Sequence, residues 1–199
     1  DSSCLFVNQG HYRWRQDDGG IGAPNSEWYS ASWSKRKKIM VSNPTASAMT
    51  NQAVKIVVDY DSDMQTDFED LRFTDSSGTT TLSYWIETTA VSASSTVWVK
   101  VPSLSASGSA VIYMYYGNNS TTTSSSGANT FKFFDDFEDN NISEYSGNTT
   151  MFTTSTNFNH DGTYGLDAGS NFDQRTTGGI YRTGSLSARG DTISFYQFV

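Results

Sequence analysis

The sequence is short of cysteine, of positive charge and of long apolar runs, and each shortage excludes a class of protein. The single cysteine, Cys4, excludes a disulfide within the chain. Thirteen lysine and arginine residues against 21 aspartate and glutamate residues give a formal net charge of -8. Nucleic-acid binding depends on a basic surface, so we expect no nucleic-acid partner. No apolar run approaches the roughly 18 residues of a membrane helix, so we expect no membrane insertion by this segment.

The composition favours strands and turns over helices. Lysine and glutamate are few, whereas serine, threonine, asparagine and glycine are abundant. A polar surface of this kind favours an extracellular or cell-surface location. Four Asn-x-Ser/Thr triplets in loop-like stretches are candidate glycosylation sites, at Asn118, Asn119, Asn141 and Asn148.

Apolar and polar residues alternate along several segments, which is typical of half-buried strands. In the segment 53–60, Val54, Ile56 and Val58 share one face. The segment 111–116 is apolar on both faces and is expected to be a central strand. Because glycine, asparagine and serine separate these short segments, the sequence predicts an all-β fold. We expect an antiparallel, jelly-roll-like β-sandwich, with room for a second, incomplete β domain.

The polar run GNNSTTTSSSGAN, from Gly117 to Asn129, has no apolar periodicity and is the best candidate for a linker. It divides the chain into four predicted segments. They are an N-terminal strand or arm (1–30), a β-sandwich (31–117), a Ser/Thr/Asn-rich linker (118–130) and a partial second β domain (131–199).

Two acidic groups are candidate calcium sites. In the first, four aspartates and Asp70 fall at relative positions 1, 3, 5, 9 and 12, as ligands do in an EF-hand loop. Met64 stands where that loop needs glycine, and strands rather than helices flank the run. A looser calcium loop and a simple solvated loop therefore both remain open. The second group follows Phe133 and Phe134 in FFDDFE, which alternates like a strand. The candidate ligands are Asp59, Asp61, Asp63, Asp67, Asp135 and Asp136.

The sequence contains none of the residue spacings that are typical of common catalytic motifs. Only five glutamates are present, and none forms the Glu-x-Asp-x-x-Glu pattern of sandwich glucanases. There is no Gly-x-Ser-x-Gly motif, and the two histidines, His11 and His160, are far apart. We expect no enzymatic activity and no cofactor other than a possible calcium ion.

Aromatic residues make up 14% of the chain and are the remaining signal for a ligand site. Trp85 and Trp98 lie on the opposite faces of their strands from the aliphatic residues. They either stack on sugar rings at an open face or pack under a covering layer, and packing is favoured. These two tryptophans are the candidate ligand-binding residues.

Several motifs in a fixed order resemble those of DUF2341, a bacterial and archaeal surface module. The motifs are MQTDFEDLRFTD, LSYWIE, VWVKVP, YMYYGN and FFDDFE, and the resemblance spans roughly residues 33–137. The part after Phe131 resembles the first strands of a concanavalin-like lectin or laminin-G-like jelly roll. Both resemblances imply an extracellular β-sandwich of adhesin-like or pilus-associated proteins, and neither implies catalysis.

The leading expectation for function is a non-catalytic cell-surface module for adhesion or glycan binding within a larger assembly. The alternative is a structural subunit of an extracellular filament, pilus or surface layer that polymerises by strand pairing between subunits. A glycan or another surface ligand is the expected partner in the first case, and a second copy of the chain in the other.

Calcium titration tests the metal interpretation of the acidic run. The favoured interpretation, a solvated loop, predicts that millimolar calcium leaves the midpoint of thermal unfolding unchanged. A bound ion would raise the midpoint, because a ligand that binds only the native state stabilises it. A rise with calcium that magnesium does not reproduce would establish the calcium loop.

Overall fold

A computed structural model of the chain describes residues 2–8, 11–17, 28–159, 162–169 and 179–182, the first two ranges by their backbone alone. Its contacts divide the chain into two compact units, Asp1–Phe131 and Lys132–Val199. Among the described residues of the first unit, eight strands form: β1 (Ser2–Asn8), β2 (His11–Asp17), β3 (Lys35–Ser42), β4 (Met49–Asp59), β5 (Arg72–Thr74), β6 (Tyr84–Ala90), β7 (Ser94–Leu104) and β8 (Ser109–Tyr116).

The strands of the first unit form two sheets. One has the order β2-β1-β3-β8-β5, and the other has the order β4-β7-β6. Neighbouring strands are antiparallel except β1 and β3, which pair in parallel with Cys4 opposite Lys38. The predicted N-terminal arm therefore contributes a strand whose backbone pairs inside the chain. The predicted strand near the C-terminus, residues 192–198, lies outside the described residues.

Both sheets contribute side chains to one apolar cluster. Ile39 of β3 lies opposite Ile112 of β8, and Ile56 of β4 lies opposite Val97 of β7. Each of these four residues is at most 1% exposed and belongs to the same cluster. The prediction of an all-β fold is confirmed, whereas the finer description as a jelly-roll-like sandwich stays a prediction.

Strand β8 is buried on both faces, as its sequence predicts. Ile112 and Met114 lie in the cluster shared by the two sheets. Tyr113 and Tyr115, which point the other way, are also buried and pack with Trp33 in a second cluster. A central strand flanked by β3 and β5 needs apolar residues at every position, which explains the unbroken run.

The polar run after β8, predicted as a linker, is hydrogen-bonded to the first unit. Gln65 Nε2 donates to the carbonyls of Asn118 (2.7 Å) and Thr121 (2.9 Å). The Ser126 amide donates to the Tyr84 carbonyl at 2.8 Å, at the edge of β6. One short helix follows, α1 (Gly127–Thr130), capped by the Ser126 side chain. Polar composition alone does not distinguish a free linker from a segment whose hydroxyl and backbone groups satisfy a sheet edge.

The described part of the second unit has four short strands, β9 (Ser146–Gly147), β10 (Thr153–Ser155), β11 (Gly165–Asp167) and β12 (Ile180–Tyr181). β10 pairs with β11, and β9 pairs with β12. The segment FFDDFE, predicted as a strand, is irregular and ends in turns. That strand prediction was wrong, because carboxylates cap local turns here instead of alternating along a sheet.

Truncating a central core residue tests the shared cluster. Ile112→Ala should lower the free energy of unfolding by about 3 kcal/mol, because it removes buried methyl groups and leaves a cavity. Urea denaturation measures the change. The control Val91→Ala alters a residue that is 70% exposed, and it should change stability by less than about 0.5 kcal/mol. Equal effects of the two changes would contradict the assignment of Ile112 to the core.

Candidate functional site

The acidic run between β4 and β5 is held by lysines of β3. Asp61 Oδ2 lies 3.4 Å from Lys37 Nζ, and Asp63 Oδ2 lies 3.0 Å from Lys35 Nζ. The Tyr116 hydroxyl donates to Asp61 Oδ2 at 3.2 Å. Burial raises the pKa of Asp61, but the Asp63 amide, Lys37 and Tyr116 together outweigh it and leave that pKa below its usual value. Protein cations and amides therefore bind these carboxylates.

The other predicted ligands of this run serve the loop itself. Asp59 ends β4, and the exposed Asp67 accepts a hydrogen bond from the Glu69 amide at 3.2 Å. Met64, which occupies the place of the EF-hand glycine, is 3% exposed and packs in the shared cluster. Within the part of the chain that the structure describes, no three His, Cys, Asp or Glu side chains are grouped so as to hold a metal ion.

Asp70, at the end of the run, is fully buried and fastens three parts of the first unit together. Its Oδ2 accepts from the amides of Gly117 (2.6 Å) and Asn118 (3.2 Å), and its Oδ1 accepts from the Gln65 amide (3.1 Å). Its carbonyl accepts from Trp33 Nε1 at 2.7 Å. Both oxygens of this buried carboxylate therefore have hydrogen-bond partners within the protein.

The four residues that end at Asp70 form a turn that occurs twice in the chain. The sequence Asp-Phe-Glu-Asp is found at 67–70 and again at 136–139. Both phenylalanines, Phe68 and Phe137, have left-handed backbone, with φ of 62° and 61°. In each copy the first aspartate accepts a hydrogen bond from the glutamate amide. Left-handed backbone is unfavourable for an aromatic residue, and at Phe68 it accompanies complete burial.

The second predicted calcium group lies in the second unit and forms ion pairs. Asp135 Oδ2 is 3.6 Å from Arg182 Nη1, and the same nitrogen is 3.0 Å from Glu144 Oε1. Burial raises the pKa of Asp135 above its usual value, and burial with the nearby Asp135 raises the pKa of Tyr145 to about 12. Asp136 accepts a hydrogen bond from a backbone amide in the repeated turn. The two predicted ligands thus have different partners.

Trp85 and Trp98 lie directly opposite each other on β6 and β7, on the outer face of their sheet. Both rings meet the edge or face of Phe131, with centroids 5.6 and 5.5 Å away. Trp98 Nε1 also donates to Glu87 Oε2 at 3.1 Å. The two tryptophans are therefore half-buried beneath Phe131, the residue that follows α1. This arrangement agrees with packing under a covering layer, the favoured of the two interpretations of their pattern.

The candidate glycosylation sites differ in access. Asn119 and Asn141 are exposed, whereas Asn118 and Asn148 are half-buried. The Asn118 amide is also one of the donors to Asp70. Asn119 is thus the more accessible of the two adjacent candidates.

Arg72 of β5 is a buried cation that the sequence patterns did not single out. It is 8% exposed, and its guanidinium carbon lies 5.3 Å from the centre of the Trp33 ring. Nη1 donates to the carbonyls of Glu69 (3.0 Å) and Leu71 (2.6 Å) and to the Tyr84 hydroxyl (3.2 Å). Nη2 donates to groups of the docked polar run, the hydroxyl of Thr121 at 2.9 Å and the carbonyl of Thr122 at 2.6 Å.

Arg72 lines a cavity of about 270 Å³ beside β5. The Tyr84 hydroxyl anchors its wall, because it donates to the Leu71 carbonyl (2.7 Å) and accepts from the Ser124 amide (3.2 Å). Burial raises the pKa of the Tyr84 hydroxyl, so the neutral form is present at physiological pH. Aromatic and hydroxyl-bearing side chains share the lining, which includes Tyr29, Phe73, Thr81, Ser83, Tyr84 and Ser124.

An aromatic face adjoins the cavity through Tyr29. Tyr29 packs on Trp33 with ring centroids 5.0 Å apart, and on Tyr115 with centroids 5.7 Å apart. Beside them Arg36 lies over the rings of Trp28 and Tyr113, at 5.0 and 4.3 Å. Trp28 is 42% exposed, so part of this face is open to solvent.

Sequence reasoning missed the cavity because its residues are scattered along the chain and only folding brings them together. One signal was present, since Arg72 interrupts an apolar run between Leu71 and Phe73. A charged residue between two buried neighbours needs internal partners. The repeated Asp-Phe-Glu-Asp sequence was a second signal, which marked the turn before Arg72 as a structural unit.

The comparison with known families places the cavity residues from Arg72 to Ser124 inside a single match. Residues 67–165 match the family model DUF2341, a domain of unknown function. The DUF2341 match begins later and ends later than the resemblance read from the sequence motifs, and it continues through the polar run into the second unit. The expected lectin-like start after Phe131 stays a prediction. No curated protein and no solved structure matches the chain.

The part of the chain that the structure describes includes no helix long and apolar enough to cross a membrane.

Changing the buried aspartate tests its structural role. Asp70→Asn should destabilise the protein by about 2–3 kcal/mol, because an amide nitrogen would face backbone N–H donors that now meet a carboxylate oxygen. The matched control Asp67→Asn alters an exposed carboxylate in the same turn and should cost less than about 1 kcal/mol. Chemical denaturation compares the two, and equal costs would refute the assignment.

Proposed function

We propose that the protein is a non-catalytic, extracellular cell-surface module that binds glycans within a larger surface assembly. The cavity beside Arg72 is its binding site. The observation that carries this proposal is the combination of Tyr29, hydroxyl-bearing residues and the buried Arg72 around one opening of about 270 Å³. Ligand sites commonly combine apolar surface with a few convergent polar groups.

The chemistry of the lining matches that of a sugar. A pyranose ring has faces of C–H groups, which pack against aromatic rings, and a rim of hydroxyl groups, which exchange hydrogen bonds with side-chain hydroxyls. Tyr29 supplies the first kind of surface, while Ser83 and Ser124 supply the second. The exposed Trp28 face extends the apolar surface beyond the cavity, as an oligosaccharide would require.

Trp85 and Trp98 are less suited than the cavity to bind a sugar. Phe131 lies against both rings, so a sugar would have to displace α1 and its neighbours to reach their faces. The filament alternative likewise has less support, since the backbone of β1 is paired with β2 and β3 of the same chain. It remains a second proposal, and no contact among the described residues favours it.

Glycan-array binding tests the proposed function. The full chain should bind a subset of the array, and Tyr29→Ala should weaken that binding about tenfold, because it removes an aromatic contact worth about 1–1.5 kcal/mol. Thermal unfolding of the variant is measured alongside, to show that it is folded under the assay conditions.

Val91→Ala provides the control, because this exposed residue lies in the turn after β6 and does not line the cavity. It should bind as the unmodified chain does. Absence of binding across a broad array, or unchanged binding by a folded Tyr29→Ala variant, would overturn the proposal.

A further inference from the structure

We propose that the cavity selects anionic saccharides, in which a carboxylate or a sulfate group lies against Arg72. This inference rests on the proposed glycan-binding function and adds the class of sugar. It is carried by a buried guanidinium whose charge is not balanced by an ion pair with any carboxylate of the described residues.

The described acceptors of the Arg72 guanidinium are all neutral. They are three carbonyl oxygens and two hydroxyl oxygens, from Glu69, Leu71, Thr122, Tyr84 and Thr121. Neutral acceptors satisfy the geometry of the N–H donors but leave the positive charge. A charge that is only 8% exposed is poorly compensated by water, so an anion gains more there than at an exposed arginine.

The nearest carboxylate along the chain is committed elsewhere. Asp70 accepts hydrogen bonds from the backbone amides of Gln65, Gly117 and Asn118, and no ion pair joins it to Arg72 among the described residues. Arg72 and Asp70 therefore belong to separate hydrogen-bond networks, and of these two residues only Arg72 lines the cavity.

The guanidinium is also held rigidly. Five hydrogen bonds and the Trp33 ring fix its position before any ligand arrives. A fixed cation loses little side-chain entropy on binding, so its attraction for an anion in the cavity is not offset by the cost of ordering the side chain. A neutral sugar receives the same aromatic and hydroxyl contacts but lacks this additional interaction.

Isothermal titration calorimetry with three oligosaccharides of equal length tests the inference. One carries uronic acid residues, one carries sulfate groups and one is neutral. At least one of the two acidic oligosaccharides should bind about tenfold or more tightly than the neutral one. A preference for the uronic acid identifies carboxylate as the recognised group, and a preference for the sulfated sugar identifies sulfate.

A matched pair of variants keeps Arg72 and its structural contacts intact. Ser83 lines the cavity with an exposed side chain, so both Ser83→Glu and Ser83→Gln should fold. The glutamate should weaken binding of the preferred acidic oligosaccharide about tenfold relative to the glutamine, because the two side chains differ chiefly in charge. Binding of the neutral sugar should be equal in the two variants.

The outcomes separate this inference from the proposed function. Equal affinities for acidic and neutral sugars, or equal binding of the acidic sugar by the two Ser83 variants, would overturn the anionic preference while glycan binding stands. Failure of all three oligosaccharides and of the array to bind would overturn both.

Discussion

The first unit depends on one buried carboxylate. Asp70 accepts amides from the loop before it, through Gln65, and from the start of the polar run, through Gly117 and Asn118. Its carbonyl also holds Trp33, so the aromatic face is tied to the same residue. Because these hydrogen bonds join segments far apart in sequence, they fix where the polar run crosses the edge of β5. Arg72, two residues later, then finds two of its five acceptors in that run, at Thr121 and Thr122.

The repeated Asp-Phe-Glu-Asp turn shows which features depend on local sequence and which depend on the surrounding fold. The same four residues adopt the same left-handed turn in each unit, with Phe68 and Phe137 at nearly equal φ. The last aspartate nevertheless has different partners. Asp70 is buried and bonds to distant amides, whereas Asp139 is exposed and bonds to its near neighbour Asn141. Local sequence determines the conformation of the turn. The surrounding fold determines whether the final carboxylate bonds to distant segments or to a near neighbour.

The fold was more predictable than the site. Alternation at Ile56 and Val58, and the unbroken run of β8, indicated strands because strand periodicity is a local property. The spacing of the acidic run resembled that of metal ligands, but spacing carries no information about Lys35 and Lys37, which approach from another strand. Composition likewise identified the polar run but did not indicate which groups it bonds to. Whether serine and threonine bond to solvent or to a sheet edge depends on the distant residues they meet, such as Arg72.

The fastening of the polar run also has a mechanical consequence. A pulling force applied along the chain at Lys132 reaches the first unit through Phe131, whose ring packs against Trp85 and Trp98. The load also reaches β6 through the hydrogen bond between the Ser126 amide and the Tyr84 carbonyl. A force on this part of the chain therefore acts first on β6 and β7, the strands that carry these partners, and not on the sheet that contains β1, β3 and β8.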